Sequence, residues 1–383
     1  MNRAWLTAPV LAAAGALTPL FLHHLPAPFV WIAALWAVAL GAAAWSVRTL
    51  GVRLALINLA AASLGLGGFE AYLWLLSPSP VADEVSYSND YFAPDPVLGY
   101  GPRRGVVTEA VKRHRGEPVY RATYSIGENG LRLTPAAPAA ATSVLFFGGS
   151  VTFGEGLDDD QSMPYRVGAR YGGDVRVYNF GFHGYGPHQM LAALEHGWVA
   201  SVVSGPVAAV VYQAIPAHVA RSAGRAPWDR EGPWYRLDGQ GRARFAGHFD
   251  DRLGARVAAV LDRSFTYRRI FGLERGVSDG DLALFAAIVA RAREEASRRF
   301  PASRFVVLLW GYQDDPTFER VLAALRGRRL SVALIRDILP GYDDDPQRYQ
   351  IGPHDRHPNP LAQDLIAAYL VEDLLGPLNP APR

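Results

Sequence analysis

The feature that most constrains this sequence is the apolar character of its first eighty residues. Three apolar runs cover residues 5–22, 29–47 and 54–76. Each run is close to the ~20 residues that a helix needs to cross the hydrocarbon core of a bilayer. The charged side chains before residue 83 are Arg3, Arg48, Arg53 and Glu70. We therefore expect residues 1–78 to form a membrane region with three transmembrane helices.

Two other interpretations of these runs are open. The first run could be a signal peptide with Arg3 as its charged start, but two more runs follow it and no clear small-residue cleavage site precedes "HHLPAP". All three could instead be buried helices of a soluble bundle, although such helices seldom carry so little charge. Glu70 lies inside the third run, where an acid is either functional or paired at the membrane interface.

The arginines predict the orientation of the membrane region. Arg3 precedes the first run, "HHLPAP" between the first two runs has no arginine or lysine, and "RTLGVR" between the last two has two arginines. Because positive loops stay in the cytoplasm, residues after Leu76 are expected outside it. We therefore expect a multi-pass protein of the bacterial inner membrane, with its C-terminal domain in the periplasm or outside the cell.

Composition excludes several classes of function. The formal net charge is only +2, which argues against a nucleic-acid partner. The chain has no cysteine, so it forms no disulfide and uses no thiolate chemistry. Lys112 is the single lysine among 38 basic residues, and this arginine bias is typical of a GC-rich genome.

From Ser143 onward, apolar strands alternate with amphipathic helices. The predicted strands are residues 143–147, 175–181, 206–215, 304–311 and 330–338. Such alternation is typical of an α/β fold with a parallel sheet covered by helices on both faces. We expect a linker, "SPSPVADE", and a lead-in segment over 79–142, then a domain over 143–383 with an insertion at about 222–280.

Ser150 follows the first predicted strand in the stretch "VLFFGGSVTFGEG". Ligands of open parallel sheets bind beyond the carboxyl ends of the strands, so this hydroxyl is a candidate nucleophile. A P-loop is excluded because Glu155 follows Gly154 where lysine is needed. The G-x-S-x-G elbow is incomplete, since Thr152 occupies the place of its second glycine. A turn without chemistry remains the alternative.

The stretch "GPHDRHPNP" places Asp355 and His357 just before the last predicted helix. A serine needs a base to become a nucleophile, and a carboxylate orients a histidine that acts as that base. Loops at the same edge of a parallel sheet can meet, so His357 can face Ser150 while Asp355 holds its other ring nitrogen. In "NFGFHGYG", Gly184 can supply a backbone N–H that works with the N–H of Ser150 as an oxyanion hole.

The remaining histidines and acids do not form a metal-binding pattern. His183, His188 and His354 lie near these motifs in the sequence, but no paired spacing or acidic trio completes a ligand set. We expect them to pack or to line the rim of the site. The acidic run 158–160 is interpreted as a solvated loop or a helix start. No cofactor and no metal is expected.

Together these three blocks resemble the SGNH, or GDSL-type, hydrolase family. "FFGGSVTFGEG" resembles its first block with Ser150 at the nucleophile, "NFGFHGYG" its second with Gly184 at the oxyanion glycine, and "DRHPN" its last with Asp355 and His357. The lead-in "YSIGENGLR" is also similar to that of many bacterial members, so the resemblance covers roughly residues 90–375. It implies a flavodoxin-like α/β/α sandwich and ester hydrolysis or acyl transfer.

One block departs from the family. The family usually has Gly-x-Asn-Asp after its third strand, and the asparagine donates to the oxyanion. Here the strand ends "VVYQAIPAHVAR", which places Ala217 at the asparagine and His218 at the aspartate. Alanine has no donor, so two backbone groups hold the oxyanion, or else His218 or Gln213 contributes.

We expect a membrane-anchored serine ester hydrolase that acts on an acyl ester, such as an acylated glycan or lipid. One alternative is O-acyl transfer onto an envelope polysaccharide or lipid. The other is a non-catalytic envelope protein that binds glycan or a partner with aromatic residues such as Trp228, Trp234 and Tyr235.

Overall fold

A computed structural model describes residues 6–77, 83–270, 276–311 and 315–378. Most of the predicted linker "SPSPVADE" lies outside these described residues. The chain forms two compact units, one of residues 1–81 with 252–276 and the other of residues 82–251 with 277–383.

The helices of the described residues are, in chain order, α1 (Thr7–His24), α2 (Pro28–Ser46), α3 (Leu50–Leu76), α4 (Ser150–Phe153), α5 (Met163–Arg170), α6 (Pro187–Glu195), α7 (Trp198–Val202), α8 (Ala217–Ser222), α9 (Leu253–Leu261), α10 (Phe265–Ile270), α11 (Asp279–Arg299), α12 (Phe318–Gly327), α13 (Ile335–Ile338) and α14 (Pro360–Tyr369). The strands are β1 (Asp83–Tyr87), β2 (Phe92–Asp95), β3 (Gly99–Pro102), β4 (Val107–His114), β5 (Glu117–Ser125), β6 (Thr142–Phe147), β7 (Val175–Asn179), β8 (Val207–Ala214), β9 (Pro233–Leu237), β10 (Ala243–His248), β11 (Arg304–Leu309), β12 (Ser331–Leu334), β13 (Gln350–Gly352) and β14 (Asp355–Pro358).

The first unit contains the three N-terminal helices together with α9 and α10. Among the described residues, α2 and α3 are long and apolar enough to cross a membrane, judged by length and composition. The prediction of three such spans is therefore wrong for α1. That helix contains Pro19 and ends in His23 and His24, and these polar or helix-breaking residues reduce its hydropathy.

The second unit is built around a parallel sheet of five strands in the order β12-β11-β8-β6-β7. Numbered along the chain within this sheet, the order is 2-1-3-4-5, which is the flavodoxin-like arrangement. From β6 the chain adds β7 on one side and then β8 on the other side. Ligands of such sheets bind at this switch point between β6 and β8. The fifth strand is shorter than predicted, because residues 335–338 form α13 instead of continuing the strand.

The sheet separates two apolar cores. Alternate residues of β6 point to opposite faces, so Leu145 and Phe147 join one core while Val144 and Phe146 join the other. Helices α6, α11 and α12 bury apolar residues in the first core, and α5 and α14 bury theirs in the second. The result is a mixed α/β unit with helices on both faces of the sheet.

The lead-in segment forms its own antiparallel sheet, β1-β4-β5. Arg132 follows this sheet and its side chain is fully buried. Its guanidinium donates to the backbone carbonyls of Phe153, Gly154 and Leu157 at 2.6–2.7 Å and pairs with Asp159 at 2.9 Å. The lead-in segment therefore holds the loop that follows α4.

Candidate active site

Ser150 is the first residue of α4 and lies just beyond the carboxyl end of β6. Gly149 is the N-terminal flanking residue of this short helix, and Gly154 ends it. The φ angle of Gly154 is +86°, and its N–H donates to the carbonyl of Ser150 at 2.9 Å. Only glycine adopts this conformation without strain, so Gly154 fixes the tight turn that carries the serine.

The structure brings Ser150, His357 and Asp355 together. The Nε2 atom of His357 lies 2.8 Å from the Oγ atom of Ser150, and its Nδ1 atom lies 2.7 Å from Oδ1 of Asp355. The same Oδ1 atom accepts the backbone N–H of His357 at 2.8 Å. Both residues belong to β14, where residues two apart share a face, and this strand pairs with β13 before α14 begins.

Lys112 holds the other oxygen of Asp355. Its Nζ atom lies 3.1 Å from Oδ2 of Asp355, 3.1 Å from Oδ2 of Asp83, and 2.9 Å from the carbonyl oxygen of His354. The side chain of Asp355 is only 1% exposed, so this ammonium and His357 are the partners that keep the buried carboxylate charged.

A second carboxylate approaches His357 from the serine side. The Oε2 atom of Glu155 lies 3.8 Å from Nε2 of His357 and 2.6 Å from Nδ1 of His183. The Nε2 atom of His183 in turn lies 3.3 Å from the hydroxyl of Tyr91. His357 is therefore flanked by Asp355 on one ring nitrogen and by Glu155 near the other.

These contacts determine the direction of the pKa shifts. Burial alone would lower the pKa of His357, but the charge of Glu155 and the hydrogen bond to Asp355 raise it above its ordinary value. Burial alone would raise the pKa of Asp355, but the hydrogen bonds from His357 lower it. The pKa of Glu155 falls to about 2, because the charges of His183 and His357 outweigh the burial that would raise it.

Gly184 lies in the turn between β7 and α6 and has a φ angle of +73°. A Cβ atom at this position would come within 2.6 Å of the Tyr100 hydroxyl and would collide with the indole of Trp228. The hydroxyl of Tyr100 donates to the carbonyl of His183 at 2.8 Å, and Asn179 donates to the carbonyl of Thr152 at 3.2 Å. The first bond joins the second sequence block to β3 of the lead-in segment, and the other joins it to the first block.

The stretch "VVYQAIPAHVAR", residues 210–221, places two polar side chains beside the serine turn. The Nδ1 atom of His218 lies 2.7 Å from the hydroxyl of Tyr212, while its Nε2 atom is buried without a hydrogen-bond partner. A Cβ atom at Gly149 would lie 3.2 Å from that Nε2 atom and 2.9 Å from Nη1 of Arg221. Burial lowers the pKa of His218 well below its usual value, so its imidazole is neutral at pH 7.

The other two candidates of this stretch lie at the end of β8 and at the start of α8. Gln213 is buried, its Oε1 atom accepts from the hydroxyl of Thr152 at 3.1 Å, and its Nε2 atom has no hydrogen-bond partner. Ala217 is the exposed first residue of α8. Arg221, one turn further on, donates to the carbonyl of Tyr185 at 2.8 Å.

The remaining histidines have partners within the protein. His188 lies 2.7 Å from Asp229, and both side chains are fully buried. His354 stacks on His114 with their ring centroids 3.7 Å apart. Across the described ranges, no group of three or more metal-ligating side chains is placed to hold an ion.

The aromatic residues proposed for a binding cleft differ in their exposure to solvent. Trp228 is 57% exposed and its indole ring lies 5.7 Å from the guanidinium of Arg221. Tyr235 is fully buried and donates to Glu195 at 2.9 Å, so the prediction that it lines a cleft is wrong. Strand β9 buries it because alternate residues of this strand face the core.

Sequence reasoning did not identify Lys112, Glu155 or Arg221 as part of this site. Glu155 lies within the first block, and Arg221 ends the stretch "VVYQAIPAHVAR". The charges of both residues were therefore signals that the sequence offered. Lys112 is 243 residues from Asp355 and gives no local signal.

Comparisons with solved structures find similar folds of low identity. A G-D-S-L family protein from Desulfitobacterium hafniense DCB-2 matches with a TM-score of 0.36 and 12% identity, covering 59% of this chain and 96% of that one. The acetyl xylan esterase Est2A from the rumen bacterium Butyrivibrio proteoclasticus matches with a TM-score of 0.36 and 9% identity, covering 76% and 98%. A carbohydrate esterase family 2 enzyme from Corynascus thermopiles matches with a TM-score of 0.36 and 16% identity, covering 68% and 75%.

The chain is thus similar to lipolytic and esterase proteins, the class that its sequence blocks resemble. No protein-family model matches it, and no curated protein matches it either. Because these TM-scores are below 0.5, the function proposed for the chain rests on the residues of its own site.

Proposed function

We propose that this protein is a serine ester hydrolase in which Ser150, His357 and Asp355 act as a catalytic triad. The observation that carries the proposal is the unbroken chain of contacts, 2.8 Å from Ser150 to His357 and 2.7 Å from His357 to Asp355. This is the arrangement that activates a serine hydroxyl. It is built at the switch point of a parallel sheet, where ligands of this architecture bind.

In this mechanism the Oγ atom of Ser150 attacks the acyl carbon while Nε2 of His357 takes its proton. Asp355 orients the ring through Nδ1 and stabilises the imidazolium. His357 then gives the proton to the leaving alkoxide, and an alcohol departs from the acyl-enzyme. Water attacks the acyl carbon next, His357 accepts its proton and returns it to the Oγ atom, and a carboxylic acid is released.

The negative oxygen of the tetrahedral intermediate needs donors. We assign two of them to the backbone N–H groups of Ser150 and Gly184. We assign the third to the Nε2 atom of His218 in place of the missing asparagine, because this atom is buried, has no hydrogen-bond partner and lies beside Gly149. Tyr212 supports the assignment: its hydroxyl can donate to Nδ1, which leaves the ring proton on Nε2. Gln213 is the second candidate for this place.

The direct test compares the parent protein with Ser150→Ala on a panel of acyl esters that includes acetylated sugars and p-nitrophenyl esters. Turnover and labelling by a fluorophosphonate should both be lost in Ser150→Ala and be unchanged in Ser201→Ala, which alters an exposed serine elsewhere. Equal turnover by the parent and Ser150→Ala would refute the proposal. Absence of probe labelling in folded parent protein would favour a non-catalytic binding protein.

The same acyl-enzyme can pass its acyl group to a hydroxyl of an envelope polysaccharide or lipid. Adding a soluble glycan to the hydrolysis assay separates the two outcomes. Acyl-glycan formed faster than free acid would identify an O-acyltransferase.

We also propose that the protein is anchored in the bacterial inner membrane with the site outside the cytoplasm. The support is the pair of apolar helices α2 and α3 and the arginine distribution of the sequence. Because the chain has no cysteine, Gln240→Cys provides a single reactive thiol on an exposed turn. A membrane-impermeant maleimide should label it in spheroplasts, whereas labelling only after lysis would place it in the cytoplasm.

A further inference from the structure

The two short helices α9 and α10 lie within the predicted insertion but belong to the first compact unit. The chain leaves the second unit after Asp251 and returns to it at Val277. Residues 252–270, which we call the α9–α10 segment, are therefore grouped with the apolar helices α1, α2 and α3.

One face of α9 exposes large apolar side chains. Leu253 is 77% exposed, Val257 50% and Val260 41%, and their spacing of four and three residues places them on one face of the helix. The smaller Ala255, Ala258 and Ala259 occupy the half-buried face. A helix packed on a soluble core shows the opposite pattern, with its larger apolar residues inside.

Glu70 binds the start of α10. One of its oxygens accepts the hydroxyl of Ser264 at 3.0 Å and the N–H of Thr266 at 2.8 Å, and the other accepts the N–H of Phe265 at 2.6 Å. Glu70 is only 3% exposed. These bonds explain an acid within an apolar helix, because it caps backbone donors that have no partner in their own helix.

Two attachment points, Glu70 in α3 and the carbonyl of Leu22 in α1, hold the segment close to the ends of the apolar helices. Glu70 is six residues before the end of α3, which is about 9 Å along the helix axis. Arg263 donates to the carbonyl of Leu22, which is two residues before the end of α1. Short connections make α1 and α3 run in the same direction, so both points lie at the same end of the helices.

We propose that the α9–α10 segment is an interfacial membrane element whose partner is the lipid boundary between headgroups and acyl chains. The outward leucine and valines would enter the acyl region, and the attachment points place the segment at the depth where such elements lie. Its charges fit anionic headgroups. The segment has five arginines, Arg252, Arg256, Arg263, Arg268 and Arg269, against the single acid Asp262.

This proposal rests on the proposed membrane placement of the protein. Labelling of single cysteines tests the position of the α9–α10 segment and the membrane placement of α2 separately. Full-length protein carrying Val257→Cys, Val38→Cys or Gln240→Cys is labelled with an environment-sensitive fluorophore and reconstituted into nanodiscs containing phosphatidylglycerol. Val38 lies in α2 and is 72% exposed, so it reports the membrane span itself. Quenching is compared between lipids with a shallow or a deep nitroxide and a water-soluble quencher.

We expect the label at Val257 to be quenched at least threefold more by the shallow nitroxide lipid than by the water-soluble quencher. The label at Val38 should respond to the deep nitroxide and that at Gln240 to the water-soluble quencher. An aqueous response at Val257 with a lipid response at Val38 would refute the interfacial element alone. Aqueous responses at both would refute the membrane placement, and shielding of Val257 from all quenchers would indicate a protein partner and also refute the proposal.

Glu70→Ala tests the attachment. Loss of the three bonds should free α10 and lower the lipid quenching at Val257, while the label at Val38 remains lipid-exposed. Unchanged quenching at Val257 in a protein whose Val38 label is also unchanged would show that Glu70 does not hold the segment.

Discussion

The ammonium of Lys112 lies 3.1 Å from the Oδ2 atom of Asp355, so the only lysine of the chain supports the carboxylate that orients His357. Lys112 belongs to β4 of the lead-in sheet, whereas Asp355 belongs to β14 near the C-terminus. The lead-in segment thus supplies a charged contact to the proposed triad as well as packing.

Lys112→Met should destabilise the protein and reduce its activity. Asp355 would lose a charge-assisted hydrogen bond while remaining buried, which costs about 1–3 kcal/mol for a group of this kind. The positive charge also lowers the pKa of His357, so its removal should move the acidic limb of kcat/KM to higher pH. Thermal unfolding and a pH profile measure both effects. Lys112→Arg keeps the charge, and an identical limb in the parent and both variants would contradict the electrostatic role.

Glu155→Gln should shift the same limb in the opposite direction. The negative charge of Glu155 raises the pKa of His357, and His357 must be neutral to accept the serine proton. In the parent, activity is therefore lost as the pH falls through this raised pKa. Without the charge the pKa falls, and activity should persist to lower pH. Glu109→Gln changes a half-buried acid of β4 that is paired with Arg121 and serves as the control. The prediction fails if the limb of Glu155→Gln stays in place or moves upward.

His218→Ala should lower kcat by about 10²–10³ with little change in KM, because a donor to the oxyanion acts mainly in the transition state. His218→Asn restores a side-chain N–H close to the same place and should recover part of the loss. Ser222→Ala on the same helix, whose hydroxyl donates to the carbonyl of His218, controls for disturbance of α8. Equal kcat in His218→Ala and the parent would assign the third donor to Gln213 or to none.

Arg132→Met should lower the free energy of unfolding by about 3 kcal/mol, the scale expected when one partner of a buried ion pair is removed. The substitution leaves Asp159 without its cation and removes the guanidinium donor from the backbone carbonyls of residues 153, 154 and 157. Chemical denaturation measures the change. Arg103→Met removes an exposed arginine that pairs with Asp90 and should change stability by less than about 1 kcal/mol. A loss in Arg132→Met no larger than in this control would show that the buried network contributes little.

Much of the second unit could be predicted from its sequence, because its strands and helices have clear local sequence patterns and their alternation indicates a parallel sheet. The five parallel strands are short apolar runs between amphipathic helices, and such runs have few alternatives. The sequence could predict that Ser150 and His357 meet. Ser150 follows the first strand of the parallel sheet and His357 precedes the last helix, so both were expected in loops at the same edge of the sheet. The 2.8 Å contact between them is the geometry that a serine–histidine pair requires.

Other features depended on contacts that no local pattern contains. Lys112 reaches Asp355 through a separate antiparallel sheet, and residues 335–338 turn into a helix after a strand of only four residues. The sequence of residues 233–237 does not tell which face of β9 is covered, so it could not predict that Tyr235 points into the core toward Glu195. The apolar outer face of α9 could not be predicted either, since periodicity alone does not tell which face of a helix is covered.

The return of the chain to the first unit over residues 252–276 affects how a water-soluble form could be prepared. Cutting before residue 83 removes α1 to α3 but keeps α9 and α10, together with Ser264 and the N–H groups that Glu70 accepts. In such a fragment the α9–α10 segment would lack the helices that its half-buried face packs against, and the exposed Leu253, Val257 and Val260 would face water instead of lipid. We therefore expect the fragment to self-associate. Replacing residues 252–276 by a short glycine-serine connection would remove this exposed apolar surface.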